Sequence, residues 1–327
     1  MPTLHRYLRL RARMMGLAHL AAYDLYAPVV QEAGPRFTLG QAEQQVAAAV
    51  APLGPDYVYT LARGFGADWM DAEPRAGKHA GAYMLGSIYA VHPFVLTSFK
   101  GDFDSVSTLA HEWGHALHSH LANAHQSFLN AQYPTFLAEV ASTFNERLLI
   151  EHLMDHAPND TQRLFYLNEA LEGLRGTFFR QAMFASFERD IHARLAAGEA
   201  LTGADFSRLY LALVRHYLGQ EAGVVDIDAR YGIEWAYNPH FYYNFYVYQY
   251  ATSIAAASLL ADGVKDGEQG ARERYMALLA AGGSDNPYRL LKQAGVDLAT
   301  PAPYRSLIER MNRLLDEMEE ILARQGR

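Results

Sequence analysis

The chain has 327 residues, half of them hydrophobic, and a formal net charge of −8. This length and hydrophobic content allow a large folded core. The negative charge argues against nucleic acid as a partner, because polyanions attract basic surfaces. Since the sequence contains no cysteine, disulfide bonds and thiolate metal sites are excluded, and the cytoplasm is the compartment that we expect.

The first twenty residues do not have the pattern of a signal peptide or a membrane span. Their apolar residues are interrupted by four arginines, and no apolar run elsewhere is long enough to cross a bilayer. We therefore expect no membrane partner. The arginine cluster is predicted to be the solvated face of a helix, and its members are Arg6, Arg9, Arg11 and Arg13.

Helical periodicity dominates the rest of the chain, and the sequence predicts one mostly α-helical domain over residues 1–327. Gly, Pro and aromatic residues replace that periodicity in residues 52–103, where a small β element with strands near 83–90 and 95–99 is expected. A turn is predicted at residues 282–284. Helices are predicted at 3–23, 40–51, 106–122, 135–155, 161–197, 204–218, 241–262, 268–281 and 303–324.

The pentapeptide at residues 111–115, His-Glu-Trp-Gly-His, is the strongest chemical signal in the sequence. Residues four apart lie on one face of a helix, so the imidazoles of His111 and His115 can converge on one zinc ion. Glu112 lies next to the first ligand, where its carboxylate can accept a proton from an activated water and return it to a leaving amine. Gly114 costs the helix about 1 kcal/mol relative to Ala and removes bulk beside the site.

A catalytic zinc usually has three protein ligands and one open position, so a third ligand is needed. His118 lies on the same face, but it is about 10.5 Å along the helix axis from His111 and is better interpreted as a residue near the site or at the surface. Glu139 is the only acid in an apolar and small-residue segment, where burying a charge is costly unless it is paired or bound to metal. We therefore predict Glu139 as the third ligand, against the alternative of an exposed acid on an amphipathic helix.

Two segments resemble a known family. Residues 109–119, Leu-Ala-His-Glu-Trp-Gly-His-Ala-Leu-His-Ser, and residues 136–142, Phe-Leu-Ala-Glu-Val-Ala-Ser, resemble oligoendopeptidase F, of the thimet-oligopeptidase family of zinc peptidases. Their separation fits the spacing of the family's ligands. Weaker similarities extend over most of the chain, at residues 4–8, 81–83, 235–248, 282–284 and 290–297.

The resemblance implies a multi-helical, zincin-type catalytic domain that binds one zinc ion and hydrolyses oligopeptides internally. Family members are usually much longer, so the chain resembles their C-terminal catalytic half. Two alternatives stay open: a catalytically incomplete module that binds peptides or a partner and needs a separate N-terminal region, and a zinc carboxypeptidase. The sequence does not predict an oligomeric state.

The tyrosine-rich segment at residues 231–250 has two interpretations. Most of its rings are expected to pack in a core. His240, Tyr243 and Tyr246 are three apart and can share one face, where they could donate hydrogen bonds to an oxyanion. The resemblance implies this role, because the family places a His and a pair of Tyr opposite the zinc. Tyr248 and Tyr250 are alternatives for the two tyrosines.

Overall fold

The structure, a computed structural model, describes residues 1–30 and 34–326. Within these residues the fold is mostly helical, which confirms the predicted fold class. The α-helices are α1 (Pro2–Met14), α2 (Leu39–Ala49), α3 (Pro55–Phe65), α4 (Phe103–His125), α5 (Thr135–Asp155), α6 (Asp160–Leu174), α7 (Gln181–Ala196), α8 (Gly203–Leu218), α9 (Tyr248–Lys265), α10 (Ala271–Ala280), α11 (Pro287–Gln293) and α12 (Ala302–Arg324).

The chain groups into two compact units. The first consists of Met1–Glu32, Leu167–Ala251 and Ile308–Arg327, and the second of Ala33–Tyr166 and Thr252–Leu307. The single domain expected from the sequence stays a prediction. No helix in the described part of the chain is both long and apolar enough to cross a membrane.

The second unit contains the predicted β element, as a three-stranded sheet before α4. Strand β4 (Phe94–Leu96) lies in the middle, parallel to β2 (Met70–Asp71) and antiparallel to β3 (Tyr83–Leu85). The two predicted strands are thus present but shorter than expected. Two further short strands, β1 (Leu20–Ala21) and β5 (Val225–Asp226), pair in parallel in the first unit.

Helix α4 begins at an N-cap that satisfies its first free amides. The Asp102 carboxylate accepts hydrogen bonds from the backbone N–H and the hydroxyl of Ser105, at 2.9 and 2.6 Å. One face of the helix is apolar. Burial of each large apolar side chain on this face stabilises the folded state by about 1.5–3 kcal/mol. The core residues on this face that are less than 2% exposed include Val106, Leu109, Ala110, Trp113 and Leu117.

Helices α4 and α5 approach each other closely at Gly114. A Cβ atom on this residue would lie 2.6 Å from the carbonyl oxygen of Ala141 and 2.8 Å from the Cα of Ser142, so only glycine fits here. A buried polar link ties the same two helices together: Asn145 on α5 donates to the carbonyl of Ala110 on α4. The absence of a Cβ at Gly114 therefore makes room for the backbone of α5 against α4.

Helix α10 covers part of this pair. Tyr275 on α10 stacks on Phe144 of α5, with ring centroids 3.9 Å apart, and both side chains are fully buried. At the end of α10, the side chain of Gln126 donates to the carbonyl of Ala280 at 2.9 Å. The predicted turn follows at residues 282–284, where Gly283 donates its N–H to the carbonyl of Asn130.

Two helix boundaries lie several residues from their predicted positions, and each has a local cause. The helix predicted at 3–23 ends at Met14, because the chain turns at Gly16, whose φ is 67°. The helix predicted at 241–262 begins only at Tyr248, because Asn244 and Phe245 have positive φ. Helix α3 was not predicted; it begins with a proline at its first position, which suits the free amides of a helix start.

Candidate metal centre and active site

Three predicted ligands meet between α4 and α5. One ligand atom from each of His111, His115 and Glu139 lies within 4.8 Å of the other two. The Nε2 atoms of the two histidines are 3.2 Å apart, and Glu139 Oε2 lies 3.5 Å from the first and 3.7 Å from the second. Tetrahedral zinc with bonds of about 2.0–2.1 Å needs ligand atoms about 3.3 Å apart. The donor types and the size of this triangle therefore both fit zinc.

Glu139 is held in this position by its own helix. Its carboxylate Oε2 accepts a hydrogen bond from the Ser142 hydroxyl at 2.9 Å, one turn further along α5. The Glu139 side chain is only 13% exposed, so it is not the exposed acid of the alternative interpretation. A contact across one turn of the helix restricts the carboxylate rotamer and directs it towards the histidines on α4.

Glu112 lies beside the triangle without belonging to it. Its side chain is 7% exposed, and burial raises the pKa of its carboxyl to about 7, opposed by the charge of His111. The carboxylates of Glu139 and Glu146 raise this pKa further. A carboxylate with a pKa near neutrality can both accept and return a proton, as a general base that becomes a general acid must do.

Glu146 is a functional candidate that the sequence reasoning missed. Its Oε1 lies 3.3 Å from Nδ1 of His111. A proton on Nδ1 that is donated to this carboxylate leaves Nε2 free, and Nε2 is the atom that faces Glu139 and His115. In the metal-free protein burial opposes a charge on His111, but the carboxylates of Glu146, Glu139 and Glu112 together raise its pKa to about 9, so metal binding has to displace a proton from Nε2. Glu146 follows Glu139 by two helical turns, so the helical repeat places both carboxylates on one side of α5.

His115 has a different support. It hydrogen-bonds to the backbone of Ala138 on α5, and burial together with the neighbouring His111 lowers its pKa well below the ordinary value. A neutral imidazole is the form that binds a metal ion. The two histidines are thus oriented by different partners, a side-chain carboxylate for one and a main-chain group for the other.

The chain is similar to known peptidases over nearly its whole length. The pattern of peptidase family M3 matches residues 1–309. The chain belongs to peptidase family M3. It is 42% identical over 322 residues to the oligopeptidase PepF of Bacillus subtilis, covering 98% of this chain and 48% of that protein. It is 38% identical over 322 residues to the oligoendopeptidase F homolog of Lactococcus lactis, covering 98% and 53%.

A solved structure agrees with this assignment to family M3. The crystal structure of oligoendopeptidase-F from Enterococcus faecium superposes with a TM-score of 0.74 at 33% identity, covering 99% of this chain and 50% of that one. The predicted resemblance to oligoendopeptidase F is therefore confirmed. The chain spans about half the length of these M3 relatives.

His118 is not at the surface, and the interpretation of it as an exposed residue is wrong. It is 1% exposed and stacks face to face on Tyr133, with ring centroids 3.6 Å apart. Neither ring nitrogen has a hydrogen-bond partner. Burial lowers the pKa of His118 to about 3, so the ring is neutral at physiological pH.

The predicted oxyanion donors lie together in the first unit. The ring of His240 stacks on Tyr246 with centroids 5.4 Å apart, and lies 6.2 Å from Tyr243 and 5.9 Å from Tyr250. The hydroxyls of Tyr250 and Tyr246 are 3.4 Å apart. Tyr250, one of the two alternatives, thus joins the predicted cluster, while the ring of Tyr248 is 38% exposed at the start of α9. Their role in catalysis stays a prediction.

The contact between Glu146 and His111 gives a testable prediction about zinc affinity. Replacing Glu146 with Ala removes the acceptor that fixes the His111 ring, and we expect zinc to bind about 10- to 100-fold more weakly. Competition with a chromogenic chelator measures this on the purified protein. Glu146→Gln keeps a carbonyl acceptor and is expected to lose less; equal zinc affinity in all three proteins would contradict the role.

His118 gives a prediction about acid stability. The unfolded chain binds a proton below the ordinary histidine pKa of about 6.5, whereas the folded ring stays neutral to about pH 3. Its contribution to stability is therefore present above pH 6.5 and is lost as the pH falls.

The matched variant is His118→Phe, which keeps a flat ring against Tyr133. Between pH 7.5 and pH 5, the parent is expected to lose about 2 kcal/mol more unfolding free energy than the variant. Urea titrations at both pH values, with chelator in every sample, measure the difference. Parallel losses in the two proteins would show that His118 is not the acid-sensitive group.

Proposed function

We propose that this protein is a zinc-dependent endopeptidase that hydrolyses short oligopeptides. The observation that carries the proposal is the triangle of His111, His115 and Glu139, whose edges fit tetrahedral zinc. Membership of peptidase family M3 supports the reaction type, and the relatives named oligopeptidase and oligoendopeptidase support the substrate class. The cytoplasm is the compartment that we propose with it.

In this proposal the two histidines and Glu139 hold the zinc, one ion per chain. When bound, zinc supplies Lewis acidity, which lowers the pKa of a water molecule and polarises the carbonyl of the scissile bond. Glu112 accepts a proton as that water attacks and then delivers it to the amine of the departing peptide. Its burial, which raises the carboxyl pKa to about 7, suits both transfers.

The oxyanion that forms during the attack needs hydrogen-bond donors that do not carry negative charge. His240, Tyr243 and Tyr246 are the donors that we propose, on the basis of the family resemblance. Their mutual ring contacts support a shared site of action. Tyr250 is the alternative to either tyrosine, because its hydroxyl lies beside that of Tyr246.

The proposed function is tested with an internally quenched peptide that is blocked at both ends. We expect the zinc-loaded protein to cleave it and a chelator to abolish cleavage, with recovery when zinc is restored. Blocked ends exclude carboxypeptidase action, since that reaction needs a free terminal carboxylate. Stoichiometric zinc binding without turnover would contradict the proposal and favour a module that binds peptides only.

A further inference from the structure

The segment that carries the predicted oxyanion donors has an unusual backbone. Asn244 and Phe245 are consecutive residues other than glycine with φ values of 49° and 55°. Side chains with a Cβ rarely adopt this left-handed region, and they do so only where the surroundings hold them. The two residues separate Tyr243 from Tyr246, so their conformation decides how the two tyrosine rings are directed.

A buried carboxylate holds this turn. Glu188 on α7 is 2% exposed, and its Oε1 accepts the backbone N–H of Phe245 at 2.5 Å. The ring of His192, one turn further along α7, packs on the ring of Phe245 with centroids 4.5 Å apart. Burial raises the pKa of Glu188, while the Phe245 amide and His192 lower it. A buried carboxylate needs such partners, and the N–H of the strained turn is one of them.

The same helix holds the segment at a second point. Phe241 packs edge-on against Phe184 and Phe187, with centroids 5.2 and 5.3 Å away. Phe187 and Glu188 are adjacent on α7, and Phe241 and Phe245 are four residues apart in the segment. Helix α7 therefore fixes the segment on both sides of Tyr243, apolar packing on one side and one hydrogen bond on the other.

The two residues that contact α7, Phe241 and Phe245, alternate along the chain with the rings of the predicted oxyanion donors. Between and just beyond them lie His240, Tyr243 and Tyr246, with Tyr246 stacked on His240 at an interplanar angle of 21°. Without the hydrogen bond from Phe245, the extended region would be the more favourable backbone conformation for Asn244 and Phe245. A change there would turn Tyr243 and Tyr246 away from each other, while Phe241 would still be anchored.

We propose that Glu188 is a positioning residue for peptide hydrolysis, which holds the left-handed turn at Asn244 and Phe245 so that Tyr243 and Tyr246 stay assembled around His240. This inference rests on the proposed function, in which these side chains stabilise the oxyanion. Glu188 itself touches neither substrate nor metal in this account, and it acts through the backbone of Phe245.

The test uses three variants of the whole chain. Glu188→Ala removes the acceptor. Glu188→Gln keeps a carbonyl acceptor of the same length. The double variant Glu188→Ala with Asn244→Gly lowers the cost of the turn at one of its two left-handed residues without the acceptor, because glycine adopts positive φ readily. If Glu188 only contributes to packing, the glycine cannot compensate for its loss.

The first measurement is amide hydrogen exchange, which needs no peptidase activity. We expect Glu188→Ala to raise amide exchange in residues 240–247 and to leave α4 unchanged, and Glu188→Gln to resemble the parent. The second is steady-state kinetics. For Glu188→Ala we expect kcat to fall about 10- to 100-fold with little change in KM, because misplaced groups affect the transition state more than binding. The double variant should recover most of the loss.

Each result has a defined meaning. Unchanged exchange in Glu188→Ala overturns the proposal, and so does normal kcat in a variant whose segment exchanges faster. Loss of kcat without rescue by Asn244→Gly also overturns it, since the carboxylate would then act by packing. If the parent itself cleaves no peptide, the proposed function fails, and hydrogen exchange alone then decides whether Glu188 holds the turn.

Discussion

Replacing Glu112 with Gln is expected to lower kcat for peptide hydrolysis by about 10³-fold while zinc still binds with one ion per chain. The amide has the shape of the carboxylate but cannot accept the proton of the attacking water, and general acid–base catalysis contributes about 10²–10⁴-fold. Glu112 is outside the triangle of ligand atoms. Zinc content by atomic absorption and kcat on a quenched peptide therefore separate the two roles.

The matched control is Glu199→Gln, which changes an exposed acid three residues after the end of α7. It removes the same charge far along the chain from the metal ligands, and we expect parental kcat and zinc content. Full activity in the Glu112 variant would exclude Glu112 as the general base. Loss of zinc together with loss of activity would instead show that Glu112 is needed to form the metal site.

Replacing Gly114 with Ala is expected to destabilise the protein and weaken zinc binding together. The new Cβ would meet backbone atoms of Ala141 and Ser142 at 2.6–2.9 Å, and backbone cannot move away as a flexible side chain can. Overpacking of this kind costs about 1–3 kcal/mol, which is more than the gain of about 1 kcal/mol from replacing a helical glycine. Moving α5 away from α4 would also carry Glu139 away from the two histidines.

The control for this effect is Gly173→Ala in α6, where a Cβ would meet nothing within 4 Å. That variant should be as stable as the parent or more stable by up to about 1 kcal/mol. Thermal unfolding in the presence and absence of chelator measures stability, and chelator competition measures zinc affinity. A Gly114→Ala protein with parental zinc affinity would show that the close approach of the helices does not determine the geometry of the site.

The His-His-Glu group could be found from sequence because its signal is local, although its role as a metal site stays a prediction. His111 and His115 are related by the helical repeat alone, and Glu139 stands out as a charge in an apolar segment. The bounds of α5 were also predicted, at 135–155. Glu146 was missed because its role depends on which nitrogen of His111 faces the metal, and only the packing of α5 against α4 decides that.

The breaks in the predicted helices have another origin. The periodicity of residues 241–262 is helical throughout, yet α9 begins at Tyr248 because a carboxylate more than fifty residues earlier, on Glu188, binds the Phe245 amide. A tertiary hydrogen bond of this kind leaves no pattern in the local sequence. The burial of His118 could not be predicted for the same reason. Helical spacing indicates which side of α4 it lies on, but not that the ring of Tyr133 covers it.

The packing of α10 on the ligand-bearing helices has a consequence for the order in which the protein is made. Helix α5 ends at Asp155, and α10 begins about 116 residues later, at Ala271. At about 5–20 residues per second, a ribosome needs about 6–23 s to cross that interval. During this time Phe144 lacks the Tyr275 ring that buries it. The two helices that carry the predicted metal ligands are thus completed well before α10 covers them, so the nascent chain exposes this apolar surface during that time.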